Sequence, residues 1–247
     1  MTTHRYFEDF EVGQRCSGEP RQLSADDPSD LGHFGPDALT ALFEQSGGLL
    51  LDASWHYRAP IRAGSTLHFE QTVTRCRRTR GGENGVVTRH GVLVDEHGRT
   101  VREGSATVLV PARGEGPDPV GRAFCTPAWA EALAARLAGD DRFAAATETW
   151  DGTIGLRCGE DEVQLRVYCG AVIQAARRTP HGATFTLGAS EPAWTELLTG
   201  PDGDFVRHAM TGLFDVRGSG YEYLRLTKVL ALLVEHAREL AAEGGAA

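Results

Sequence analysis

The chain has 247 residues, 41% of them apolar and 24% charged, with a formal net charge of −9. That length fits two domains better than one, and no apolar run approaches the roughly 18 residues that a membrane span needs. The acidic balance argues against nucleic acid or an anionic membrane as a partner, because neutralising phosphates takes clustered Lys and Arg.

The opening MTTHRYFEDFEVG carries charge where a secretory signal would need an apolar core, so the cytoplasm is the expected compartment. The cysteines at 16, 76, 125, 158 and 169 are scattered and without metal-ligand spacing, and they read as reduced thiols. No metal and no cofactor is expected.

In chain order, a helix is expected over 36–51, followed by strands at 66–79, 86–95 and 100–110 rich in Val, Thr and Leu and separated by turns with Gly. A helix wrapped by an antiparallel sheet is the natural assembly. The basic run Arg75, Arg77, Arg78 and Arg80 is either a solvated strand end or a landing site for an anionic carrier. The Pro- and Gly-rich stretch at 111–126 reads as a linker between a first domain, 1–110, and a second, 127–247.

The second half starts with Pro127 in the first turn of a helix that Gly139 ends. Short strands are expected at 152–158, 161–169, 171–177 and 183–188. A closing helix at 221–240 carries Leu226, Val229, Leu230, Leu233, Ala237 and Leu240 on one face. The fold class is therefore α+β in both halves.

RYFEDFEVGQ at 5–14 and WHYRAPIRAGSTLHFEQTV at 55–73 resemble the opening and the strand pair of MaoC-like dehydratases and type-2 enoyl-CoA hydratases. LGHFGPDALTALFEQSGGLLL at 31–51 resembles the Gly-His-Phe segment and central helix of 3-hydroxyacyl-carrier-protein dehydratases. The resemblance covers about 5–111 and implies a hot-dog fold acting on an acyl thioester, joined to coenzyme A or to an acyl carrier protein. It implies His33, Asp37 and Glu44 as catalytic residues, one removing the α-proton and another protonating the departing β-hydroxyl. Matching the Gly47-Gly48 helix end puts Ala41 where the family has its Glu, so Glu44, about one turn on, is the acidic candidate. The approach to the helix is several residues short, which implies a wider acyl cavity suited to a bulky, polyketide-like chain.

From Pro127 onward, Trp150-Asp151-Gly152, Gly170-Ala171-Val172, TLGASEPAWTELLTG at 186–200, MTGLFDVRGSG at 210–220 and YEYLRLTKVL at 221–230 resemble the sterol carrier protein type 2 family. That resemblance implies an apolar tunnel for a hydrophobic small molecule, with Trp194, Leu198, Phe205, Phe214, Leu226 and Leu230 as ligand-binding residues. The same side chains also suit a plain core, since a small domain needs most of its apolar residues for packing.

Three functions follow from the two resemblances: a hydro-lyase that dehydrates or hydrates a 3-hydroxyacyl thioester, a non-catalytic lipid- or polyketide-binding dimer, and a thioesterase or cyclase. All three imply a homodimer.

Overall fold

The computed structural model describes residues 5–23, 48–114, 116 and 118–243. The chain forms two compact units, 1–118 and 119–247.

The first unit is built on strands β1 (Arg15–Ser17), β2 (Arg21–Gln22), β3 (Leu49–Tyr57), β4 (Thr66–Arg78), β5 (Asn84–Asp95) and β6 (Thr100–Pro111). They form one antiparallel sheet in the order β1-β4-β5-β6-β3, with β2 also on β4. Alternation decides its faces: Gly85, Val87, Arg89, Gly91 and Leu93 of β5 are buried, while the residues between them are only partly covered. On the buried face Leu67, Phe69, Val73, Val87, Leu93, Val101, Ala106, Val108 and Val110 join Phe7, Phe10 and Leu23 in one core. Phe7 comes from a 3-10 turn, Phe7–Asp9, and its ring occupies the space above Gly85. Only glycine fits there, because a β-carbon at 85 would overlap the ring.

The helix expected over 36–51 does not extend to its C-terminal end. Leu49–Leu51 open β3, and Leu49 pairs with Leu109. A short Leu run fits a helix and a strand equally well, and its pairing with β6 makes it a strand here. The rest of that helix, 36–47, lies outside the described residues.

Beyond β6 the chain stays tied down. The backbone N–H groups of Arg113 and Gly114 donate to the Glu8 carboxylate, and Asp118 accepts from the backbone N–H of Arg78 at 2.9 Å. Arg78 also donates to Glu8, Gly82 and the Gly114 carbonyl.

In the second unit a 3-10 turn, Val120–Arg122, precedes helices α1 (Pro127–Leu137) and α2 (Asp141–Thr147). Strands β7 (Asp151–Cys158), β8 (Asp161–Tyr168) and β9 (Ala171–Ala176) follow as a meander. The chain continues through β10 (Phe185–Ala189), α3 (Glu191–Thr199), α4 (Phe205–Met210), β11 (Phe214–Gly218), α5 (Gly220–Arg225) and α6 (Thr227–Glu243). The sheet order is β11-β10-β7-β8-β9, with β10 parallel to β7 and every other pair antiparallel.

Local chemistry fixes these elements. Thr126 caps α1 by accepting from the Trp129 N–H, and Pro127 takes the first helical position, where its missing N–H costs nothing. The β8–β9 hairpin turns on Cys169 and Gly170, both with positive φ (44° and 88°), the geometry of a tight two-residue turn that follows the twist of its strands. The closing helix expected over 221–240 is two helices, broken at Leu226 (φ −96°, ψ 14°), after which the Thr227 hydroxyl donates back to the Leu224 carbonyl at 2.8 Å.

Candidate functional sites in the two units

His33, Asp37 and Glu44 lie outside the described residues. The motif at 55–73 is described in full, but its two strands do not pair with each other as expected: β3 lies on β6, and β4 on β1, β2 and β5. Trp55 packs its ring 6.5 Å from that of Phe69 and against Gly104 on the next strand. After Tyr57 the chain leaves β3 with the N–H groups of Arg58 and Ala59 both on the Val101 carbonyl (2.9 and 3.2 Å), and Gly64 (φ 84°) turns it into β4. Ser65, where the family commonly has Asp, closes that turn with its N–H on the Arg62 carbonyl at 3.1 Å, and its own carbonyl accepts from the Leu23 N–H at 2.9 Å.

The sheet also carries groups that the sequence did not single out. Arg89 is only 4% exposed on the core face, with its guanidinium 4.8 Å from the Phe10 ring and 3.3 Å from Gln71 Oε1. Burial, together with the nearby charge of Arg5, pushes its pKa down to about 10. On the opposite face His90 sits 3.4 Å from the Ser105 hydroxyl, and burial lowers its pKa in spite of Glu103 nearby. His68 Nε2 meets Ser17 Oγ at 2.7 Å and Glu70 Oε1 at 3.4 Å. This resembles a nucleophile, base and orienter, but Ser17 and Glu70 share one ring nitrogen. An orienting carboxylate works from the other nitrogen, so the trio is a polar cluster and not a triad.

At the end of β3, an open cleft of about 340 Å³ is lined by Tyr57, Arg58, Ala59, Pro60, Ile61 and Arg102. Arg58 is held by Glu103 through Nε (2.8 Å) and through a second nitrogen. The Arg102 guanidinium lies 4.7 Å from the Tyr57 ring, a cation–π distance.

In the second unit Trp194, Leu198, Phe205, Phe214, Leu226 and Leu230 are all buried. The Trp194 and Phe214 rings meet edge to face at 5.2 Å, Phe205 stands 6.2 Å from Phe214, and Trp194 Nε1 donates to the Arg157 carbonyl at 2.7 Å. Trp194 and Leu230 border a small apolar cavity together with Trp129, Leu133, Leu156, Leu187, Leu233, Val234 and Ala237. Its volume of about 10 Å³ is barely that of one water and far below that of an acyl chain. Around this space Trp194 and Leu230 pack as core.

Among the described residues no helix is long and apolar enough to cross a membrane, and no group of three or more His, Cys, Asp or Glu is placed to hold a metal.

No family model and no curated protein matches the chain. Solved structures do. A crystal structure of sterol carrier protein 2 is similar at 25% identity, over 47% of this chain and 98% of its own, with a TM-score of 0.41. A MaoC-like dehydratase from Rhodospirillum rubrum is similar at 20% identity, over 44% of this chain and 98% of its own, with a TM-score of 0.35. A hypothetical thioesterase protein from Streptococcus pneumoniae TIGR4, solved with coenzyme A, is similar at 12% identity, over 41% of this chain and 82% of its own, with a TM-score of 0.30. The chain is α+β, and its similarities to the sterol carrier protein and to the MaoC-like dehydratase each cover less than half of it.

Proposed function

We propose that the chain is an acyl-thioester hydro-lyase: its first unit dehydrates or hydrates a 3-hydroxyacyl thioester, and its second unit holds the hydrophobic acyl chain. The observation that carries the reading is the presence, in one sequence, of the Gly-His-Phe segment and of the 55–73 motif that runs from β3 into β4, together with a second α+β unit that has a wholly apolar seam beneath α6. His33 is the proposed base, with Asp37 and Glu44 as the acidic partners. The acyl chain, long or polyketide-like, would lodge among Trp194, Leu198, Phe205, Phe214, Leu226 and Leu230 once the seam opens, with each methylene taken from water contributing about 0.8 kcal/mol. The substrate handle is coenzyme A or an acyl carrier protein, no cofactor takes part, the working form is a homodimer, and the expected compartment is the cytoplasm.

The test is mass spectrometry of the purified chain incubated with 3-hydroxyacyl and enoyl thioesters of graded length. Loss or gain of one water that disappears in His33→Ala supports the hydro-lyase. Released free acid or an isomerised product assigns the first unit to hydrolysis or cyclisation instead, and bound lipid without any turnover makes the chain a carrier.

A further inference from the structure

The cleft at the end of β3 has a charge arrangement that the chain's other arginine clusters lack. Arg78, the central member of the basic run 75–80, is committed to Glu8, Asp118 and backbone carbonyls. Arg142 and Arg136 are likewise held by carboxylates. Arg102 differs. Among the described residues the only polar or charged contact of its side chain is the face of Tyr57. Arg58 also lines the cleft, with its guanidinium held by Glu103.

The backbone holds this pair in place. Tyr57 and Arg102 are register partners across β3 and β6, and the N–H groups of Arg58 and Ala59 both donate to Val101. Pro60 then restricts the exit of the chain. The opening, at about 340 Å³, falls in the roughly 300–1,000 Å³ range of small-molecule sites. A guanidinium fork matches two phosphate oxygens at once, and Tyr57, 68% exposed, presents its ring beside it.

From this geometry we infer that the cleft of Tyr57, Arg58 and Arg102 is an anion site for the phosphate of a phosphopantetheine handle, carried by coenzyme A or by a carrier protein. The inference rests on the thioester reading of the first unit for its ligand, but its anion chemistry stands apart from any turnover.

Isothermal titration of the full chain tests it with inorganic pyrophosphate, coenzyme A and phosphate-free pantetheine, and with holo and apo acyl carrier protein. Arg102→Gln removes the charge, and Arg102→Lys keeps the charge but loses the fork. With a coenzyme A handle, coenzyme A binds at least tenfold tighter than pantetheine, pyrophosphate competes with it, Arg102→Gln removes the preference and Arg102→Lys restores part of it. With a carrier-protein handle, the same variants remove and partly restore a preference for holo over apo carrier. Affinities indifferent to Arg102→Gln in both arms, with the variant's melting temperature unchanged, overturn the inference. Pyrophosphate binding that depends on Arg102 in a chain that turns over no thioester leaves the anion site standing and removes the hydro-lyase. Turnover with affinities indifferent to Arg102 does the reverse.

Discussion

Trp150 donates its indole N–H to Glu222 Oε2 at 2.9 Å, joining the approach to β7 to the first turn of α5. Trp150 is buried, so Glu222→Ala leaves a donor without water or acceptor and is expected to destabilise the second unit by about 1–3 kcal/mol. Glu222→Gln keeps an acceptor oxygen and costs less. Urea unfolding followed by tryptophan fluorescence separates the two, and equal stabilities would remove the bond from the forces holding α5.

Gly85 and Phe7 exclude any β-carbon between them. Gly85→Ala is expected to cost the first unit about 1–3 kcal/mol, the usual penalty for forcing atoms into a packed core. Combined with Phe7→Ala, which empties the same space, the loss should be clearly less than additive. Additive losses in a double-mutant cycle would place the strain elsewhere.

Two groups set two acid limits. Burial depresses the His90 pKa, so the unfolded chain takes up that proton first, and stability falls as pH drops below about 6.5, the ordinary histidine value. Arg142, and then His236 at 2.7 Å, hold the Asp140 carboxyl well below the usual carboxylate range. Its contribution is present above about pH 4 and is lost as pH falls towards the depressed folded value. His90→Gln should flatten the upper step. Asp140→Asn, which keeps the helix cap of α2, should flatten only the lower one. Thermal melts across pH 2–8 would show whether the steps are separable.

Strand β3 has β6 on one side and, among the described residues, no strand on the other. Leu49, Leu50 and Leu51 are 62%, 43% and 50% exposed along it. A long apolar edge is a template for pairing with a second chain, so the protein is expected to sediment as a dimer and Leu50→Lys with Leu51→Lys as a monomer of nearly unchanged melting temperature. A monomeric parent chain would overturn the pairing through β3.

Leu233 lines the seam beneath α6. Leu233→Ala should cost about 2–5 kcal/mol through lost burial and the void left behind. If the seam is the lipid site, a fatty acid should recover part of that loss in a melting experiment; a ligand-blind melting temperature would make the seam plain core.

Much of the fold was legible because the strands alternate. In β5 the buried positions follow every second residue from Gly85 to Leu93, and glycine turns separate one strand from the next. The errors have local causes. Leu49–Leu51 carries no period of its own, and the apolar stripe of α6 starts at Leu226, inside the break, which hides the break from periodicity. The catalytic candidates came from a motif, whereas the Arg58–Arg102 cleft comes from register alone. Two arginines far apart in the chain meet only because β3 pairs with β6.

The cysteines give the second unit a built-in clock. Cys169 faces solvent at the tip of its hairpin, whereas Cys125 and Cys158 are buried and burial raises the Cys125 thiol pKa far above neutrality. A maleimide should therefore label Cys169 at once and reach Cys125 and Cys158 only in those moments when the interior parts. The rate of that slow labelling, with and without a lipid, measures how often the interior of the second unit opens.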